Sequence, residues 1–278
     1  VTAARPRVAL VAVDLDGTIV GPDRSVSRRV RDALRGCAEA GIPVVVCTAR
    51  RWERTESLVA DLGLSGHCIV NGGGSVRVLP SGRLEVGVDL PRAVVAAAVR
   101  RMLACGLQPV VGAGHGEVLL AGEARRDTPS VRRYLSRAVT RRVADAELAA
   151  WPATRVFAMG PAARVNAAAR GCTGLGRLLV QDAILRHHSG GERVLELHVM
   201  ARDKGGALHA LCTQLGVEIG ATLAIGDAPS DLPMLEIAGI PVVMGQAEAG
   251  RKRRGWVVAP PVAEDGAAWA IERFALRR

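Results

Sequence analysis

Short, wholly apolar runs alternate with amphipathic stretches along most of this chain. Val8–Val13, Val44–Cys47 and Cys68–Val70 are apolar runs of strand length. Between them, residues 27–40 have helical spacing with Gly41 as a stop, and residues 51–62 have a second helical pattern. Continuous apolar strands alternating with helices predict a parallel sheet with right-handed crossovers. Asn71-Gly72-Gly73-Gly74 reads as a turn, and residues 75–79 and 84–88 alternate about Pro80-Ser81-Gly82 as a hairpin. The rhythm changes at Pro91. Helices are expected at 92–104, 129–142 and 161–170, with strands at 107–111, 117–120, 155–159, 178–182 and 194–200. The α/β rhythm then resumes: helices 204–215, 231–238 and 264–275, and strands 222–225, 241–244 and 256–258. The expected organisation is an α/β core, residues 1–89 and 200–278, split by an inserted α+β domain, residues 90–199.

Composition narrows the class. No uninterrupted apolar run is long enough for a membrane span. Val8–Val13 is too short for a signal sequence and leads straight into Asp14, so a cytoplasmic protein is expected. The six cysteines form no CxxC pair, which argues against a zinc site or a disulfide framework. The net charge is +10, and the insert holds most of it, with 16 basic against 8 acidic residues. Only seven aromatic residues are present and none is interleaved with a basic run, so no nucleic-acid partner is expected. The asymmetry suits an anionic small molecule, with Arg125, Arg126, Arg132 and Arg133 as first candidates. His187 and His188 lack a third metal ligand and read as loop. His198, two residues from Glu196 in a strand, is expected to face solvent or a domain interface.

The candidate chemistry lies at the ends of the core strands. Asp14 and Asp16, two residues apart after the first strand, can reach the crevice beyond its carboxyl end. Adjacent carboxylates repel unless a cation or a shared proton relieves them, and the arrangement suggests a hard ion, most simply Mg²⁺. Thr48 follows the second strand, Lys204 opens a helix, and Gly226-Asp227 follows the strand Leu223–Ile225, with Ser230 and Asp231 starting the next helix. Arginine supplies 35 of the 37 basic residues, so a lysine at 204 suggests a site that needs a compact point charge.

The ordered set Asp14-Leu15-Asp16-Gly17-Thr18, Thr48, Lys204-Gly205 and Gly226-Asp227-Ala228-Pro229-Ser230-Asp231 resembles the four motifs of the haloacid dehalogenase-like phosphohydrolases. The place and pattern of the insert resemble the Cof-type branch with a type II (subclass B) cap, between Asn71-Gly72 and Asp203-Lys204-Gly205. The resemblance implies a Rossmann-like core and a Mg²⁺-dependent phosphatase of a small phosphorylated metabolite, such as a sugar phosphate, with the cap setting specificity. Asp14 would be the nucleophile, forming an aspartyl-phosphate, and Asp16 the acid/base. Mg²⁺ would be held by Asp14, the Asp16 carbonyl and Asp227. Thr48, Ala49, Lys204 and Ser230 would bind phosphate, with Asp231, Arg50 and Asn71 in support. Two positions depart from the pattern: Ala49 stands where glycine is common, and Ser230 where asparagine is common. Those departures keep a non-catalytic phospho-ligand binder in view, beside a mutase or phosphotransferase of the same chemistry. The run Gly226–Leu235 is also similar to the fourth motif of mannosyl-3-phosphoglycerate phosphatases. Oligomeric state is not legible.

Overall fold

A computed structural model describes residues 8–114, 118–136, 139–182 and 194–277. Two compact units result: residues 1–86 with 203–278, and residues 87–202. The boundaries read from the sequence, 89/90 and 199/200, stand beside these.

The first unit opens with β1 (Leu10–Val13), α1 (Arg28–Glu39), β2 (Val44–Cys47), α2 (Glu56–Asp61), β3 (Gly66–Val70), β4 (Ser75–Leu79) and β5 (Arg83–Gly87). The second unit contains α3 (Arg92–Ala104), β6 (Val110–Ala113), β7 (Val118–Ala121), α4 (Pro129–Leu135), β8 (Thr140–Arg142), β9 (Ala153–Pro161), α5 (Ala162–Cys172), β10 (Arg177–Asp182) and β11 (Val194–Met200). The chain returns to the first unit with α6 (Lys204–Leu215), β12 (Thr222–Gly226), α7 (Leu232–Ile237), β13 (Ile240–Val243), β14 (Val257–Val258) and α8 (Gly266–Ala270).

Eight strands form the core sheet in the order β14-β13-β12-β1-β2-β3-β4-β5, and the six from β14 to β3 run parallel. The apolar runs are continuous because both faces are covered. Val11, Val13, Val44 and Val46 pack on one face with residues of α1 and α8. Leu10, Ala12, Val45 and Cys47 pack on the other with residues of α6 and α7. Each valine or leucine among them, removed from water, contributes about 1.5–3 kcal/mol. Ser27 caps α1 by accepting the Val30 N–H at 3.2 Å. This sheet levels the strand ends: Val13 sits beside Ile225 and Val46, and Cys47 beside Ile69.

The second unit is a six-stranded sheet ordered β10-β11-β9-β6-β7-β8. One face packs with α3 and α5, the other with α4. Several elements differ from the sequence reading. The helix expected over 129–142 ends at Leu135, and Thr140–Arg142 pairs with β7. The β-branched pair Val139-Thr140 favours that extended pairing. The expected helix 51–62 begins as a separate 3-10 turn, Trp52–Arg54. The last helix finishes as a π-helical turn, Ile271–Ala275. His198 does not face solvent: it is buried, stacks on Phe157 with ring centroids 5.3 Å apart, and meets Glu196 Oε2 at 3.1 Å. His187 and His188 lie outside the described residues. Among the described residues, no helix is long and apolar enough to cross a membrane.

Candidate active site

Asp14, Thr48, Asn71 and Asp227 each stand at the carboxyl end of a parallel strand, on four adjacent strands of the sheet. Backbone bonds continue the pairing into these ends: Asp14 N–H to Ile225 C=O at 3.0 Å, Thr48 N–H to Ile69 C=O at 2.8 Å, and Gly72 N–H to Thr48 C=O at 3.0 Å. The sheet thus gathers residues far apart in sequence.

Lys204 is the centre of the cluster. Its side chain is 1 % exposed, and Nζ donates to Asp14 Oδ1 at 2.6 Å and Asp231 Oδ1 at 2.5 Å. It occupies the first turn of α6, where the helix dipole disfavours a cation. The two carboxylates outweigh that term. Asp203 caps the same helix, accepting the Gly206 N–H at 2.7 Å. Gly205 lets α6 approach α7: a Cβ there would lie 2.4 Å from the Pro233 carbonyl oxygen. Lys204, the residue before it, reaches Asp231 at the start of α7.

Asp231 is fully buried, and its second oxygen accepts the N–H groups of Asp227 at 3.0 Å and Ala228 at 2.8 Å. It therefore shapes the loop after β12 as well as holding Lys204. Carboxylate oxygens of Asp14, Asp227 and Asp231 all lie within 4.8 Å of one another. Burial, and the Asp231 charge after it, push the Asp14 carboxyl up to about 8 against the pull of Lys204. Burial alone would lower the Lys204 ammonium, yet its two carboxylates hold its pKa well above the ordinary value. One ammonium faces three carboxylates, so the cluster carries surplus negative charge.

Asp16 is set apart from this group. Its carboxylate is exposed and held in a fork by Arg50, Nε to Oδ2 at 2.7 Å and Nη2 to Oδ1 at 2.5 Å. The Thr48 hydroxyl accepts the Arg50 N–H at 3.1 Å, which leaves its own proton to donate elsewhere. Ala49 and Ser230 are half-buried, the latter in the 3-10 turn Pro229–Asp231. Asn71 is buried with φ +56°, and its amide donates to Ser75 Oγ at 2.9 Å.

Gly17 has φ +83°, and a Cβ there would lie 2.4 Å from Asp227 Oδ2. Gly17→Ala is therefore expected to cost about 1–2 kcal/mol in backbone strain alone and to displace Asp227. A lower Tm by calorimetry is the expected result; an unchanged Tm would contradict it.

The sequence reading missed Gln246. Its Nε2 donates to the Gly17 carbonyl at 2.5 Å and reaches Asp227 Oδ2 at 3.4 Å, while its Oε1 accepts the Val262 N–H at 3.0 Å. The only signal was its place just beyond a strand end.

In the second unit, several arginine candidates are occupied locally. Arg125 is exposed and pairs with Glu123 at 2.5 Å, Arg126 pairs with Asp145, and Arg132 donates to the Asp127 carbonyl at 2.8 Å. Arg133 lies half-buried on α4. The basic excess there is thus partly neutralised within the unit.

A family model described as haloacid dehalogenase-like hydrolase matches residues 11–271. The phosphoglycolate phosphatase of Methanopyrus kandleri is 28% identical over 273 residues, which cover 96% of this chain and 97% of that protein. The 5-amino-6-(5-phospho-D-ribitylamino)uracil phosphatase YwtE of Bacillus subtilis is 26% identical, covering 95% of this chain and 97% of its own. A solved structure of a subclass IIB sugar phosphatase superposes with a TM-score of 0.79 at 17% identity, covering 96% of this chain and 99% of that chain. The family match spans nearly the whole chain and includes every strand end described above; the chain belongs to the haloacid dehalogenase-like hydrolases.

Proposed function

We propose that this chain is a Mg²⁺-dependent phosphatase of a small phosphorylated metabolite, a sugar phosphate or a compound like one, working through an aspartyl-phosphate on Asp14. The observation that carries this reading is the buried Lys204 shared by Asp14 and Asp231 beside Asp227. Surplus negative charge at a strand-end crevice suits a cation and a phosphate together. The phosphatase names of the relatives support it.

The donor set fits a hard ion, being all oxygen and short of positive charge. Asp14, Asp227 and the main-chain carbonyl of Asp16 would hold Mg²⁺, which when bound screens phosphate from carboxylate. An Asp14 oxygen attacks phosphorus and the ester P–O bond breaks. The proton of the Asp16 carboxyl goes to the departing alkoxide. Water then gives a proton to Asp16, its oxygen attacks phosphorus, and the Asp14–phosphorus bond breaks to release phosphate. Lys204, the Thr48 hydroxyl, the Ala49 N–H and Ser230 stabilise the phosphoryl oxygens. Arg50 holds both Asp16 oxygens, so one of its bonds gives way when the proton passes.

The test is phosphate release from a panel holding p-nitrophenyl phosphate, phosphoglycolate and sugar phosphates, with and without Mg²⁺. Metal-dependent release supports the reading. Tight ligand binding with no turnover under any metal would overturn it, and phosphate passed to a second hydroxyl would make the chain a phosphotransferase.

A pH dependence follows from Asp14. Its folded pKa is raised, so the metal-free protein loses stability as pH rises from the ordinary carboxylate value toward about 8. Mg²⁺ binds the ionised form and displaces a proton. Apparent Mg²⁺ affinity is therefore expected to rise from pH 6 to pH 8 and to level off above that. Calorimetric titration at each pH checks it; an affinity flat across that range would contradict the assignment of Asp14 as a ligand.

A further inference from the structure

We propose that Gln246 is a positioning residue that fixes Asp227 and the Asp16–Gly17 loop together and so sets the protein's affinity for Mg²⁺. The inference rests on the metal-dependent reading above. Gln246 is exposed, yet its amide is committed to three segments that are remote in sequence: the loop after β1, the loop after β12, and the turn that leads into α8. The Val262 N–H is a donor, so it must face Oε1. The Gly17 carbonyl and the Asp227 carboxylate are acceptors, so they must face Nε2. These partners fix the orientation of the amide.

That orientation has a consequence for the cluster. The Gly17 backbone lies against Asp227, close enough that a Cβ would overlap its carboxylate. Gln246 grips the Gly17 carbonyl and touches the same carboxylate oxygen. One side chain thereby anchors both the peptide next to the Asp16 carbonyl and the Asp227 side chain, two of the three groups assigned to the metal. Groups that orient metal ligands from outside the coordination shell commonly govern affinity. Nothing in Gln246 itself contacts the nucleophile, so its effect falls on metal binding before turnover.

Two variants separate this role from a structural strap. Gln246→Met keeps the length and loses both hydrogen-bonding ends. Val262→Pro removes only the N–H that orients the amide, at the first position of a 3-10 turn where proline is tolerated. Mg²⁺ binding is measured by titration calorimetry, beside Tm and the Mg²⁺ dependence of p-nitrophenyl phosphate hydrolysis. Gln246→Met is expected to bind Mg²⁺ about tenfold or more weakly, with kcat restored at saturating metal. Val262→Pro is expected to shift affinity the same way by less. Wild-type affinity in both variants, with only Tm lowered, would overturn the inference while leaving the phosphatase reading intact. A wild type that neither binds Mg²⁺ nor hydrolyses any ester overturns both.

Discussion

Asp14→Asn should abolish phosphate release, by on the order of 10⁴-fold or more, while leaving the metal-free protein as stable as the wild type or more so at pH 8. The loss follows from chemistry: an amide oxygen is too weak a nucleophile to displace an alkoxide from phosphorus. The stability result follows from electrostatics. Ionised Asp14 is buried and faces Asp231, which is why its carboxyl is pushed up to about 8. Asparagine has the same shape and can still accept the Lys204 bond, without the charge. A group that destabilises the empty site and is needed for turnover is what a functional site, rather than a structural ion pair, leads one to expect. Tm by calorimetry and phosphate release by a coupled assay give both readouts. A variant that keeps its activity contradicts the assignment of the nucleophile, and one that unfolds contradicts the electrostatic account.

Lys204→Met has the opposite stability sign. Methionine fills a similar volume, but Asp14 and Asp231 then face each other unbridged in a fully buried setting. Removing one partner of a buried pair costs about 3–5 kcal/mol. Part of that cost is avoided because Asp14 can take up a proton, so the penalty should be smaller at pH 5 than at pH 8. Activity should fall with it, because the phosphoryl group loses its lysine. Denaturant unfolding at the two pH values checks the difference. Equal stability of variant and wild type at pH 8 would show that the lysine does not neutralise the cluster.

The contrast between these variants shows what could be read from the sequence. Asp14, Asp16, Thr48, Lys204 and Asp227 were legible because each follows an apolar strand or opens a helix, and the strand pattern levels their ends. The rarity of lysine singled out Lys204 in an arginine-rich chain. The charge balance of the cluster was not legible, since it depends on the 2.5–2.6 Å bonds and the burial that the fold imposes. The Arg50 fork on Asp16 and the grip of Gln246 were likewise hidden. Both are long-range side-chain contacts: Asp16 and Arg50 were each singled out, but no spacing says that one reaches the other, and Gln246 stands outside the motifs altogether.

The insert was less legible for related reasons. Its helices 92–104 and 161–170 follow from spacing, and α3 and α5 lie close to those ranges. The stretch 129–142 carries arginines that suit a helix surface or an exposed strand equally, and the pairing with β7 decides for the strand over its last residues. On sequence alone, His198 is expected to face solvent or a domain interface because it alternates with Glu196 in a strand. The two instead meet in a hydrogen bond: burial would raise Glu196, but the His198 bond, with Gln181 and Arg155 nearby, brings its pKa below the ordinary value. A pair of polar residues two apart on a strand reads as an outer face unless its partners across the sheet are known.

The claim that Asp14 accepts the phosphoryl group can be tested directly. Enzyme mixed with Mg²⁺ and a ³²P-labelled ester, quenched in acid within one turnover, should carry label on the peptide that contains Asp14, and hydroxylamine should release it as expected of an acyl phosphate. The Asp14→Asn protein should carry none. Labelled phosphate released with the protein unlabelled throughout the first turnover, or label that persists in Asp14→Asn, would contradict the account.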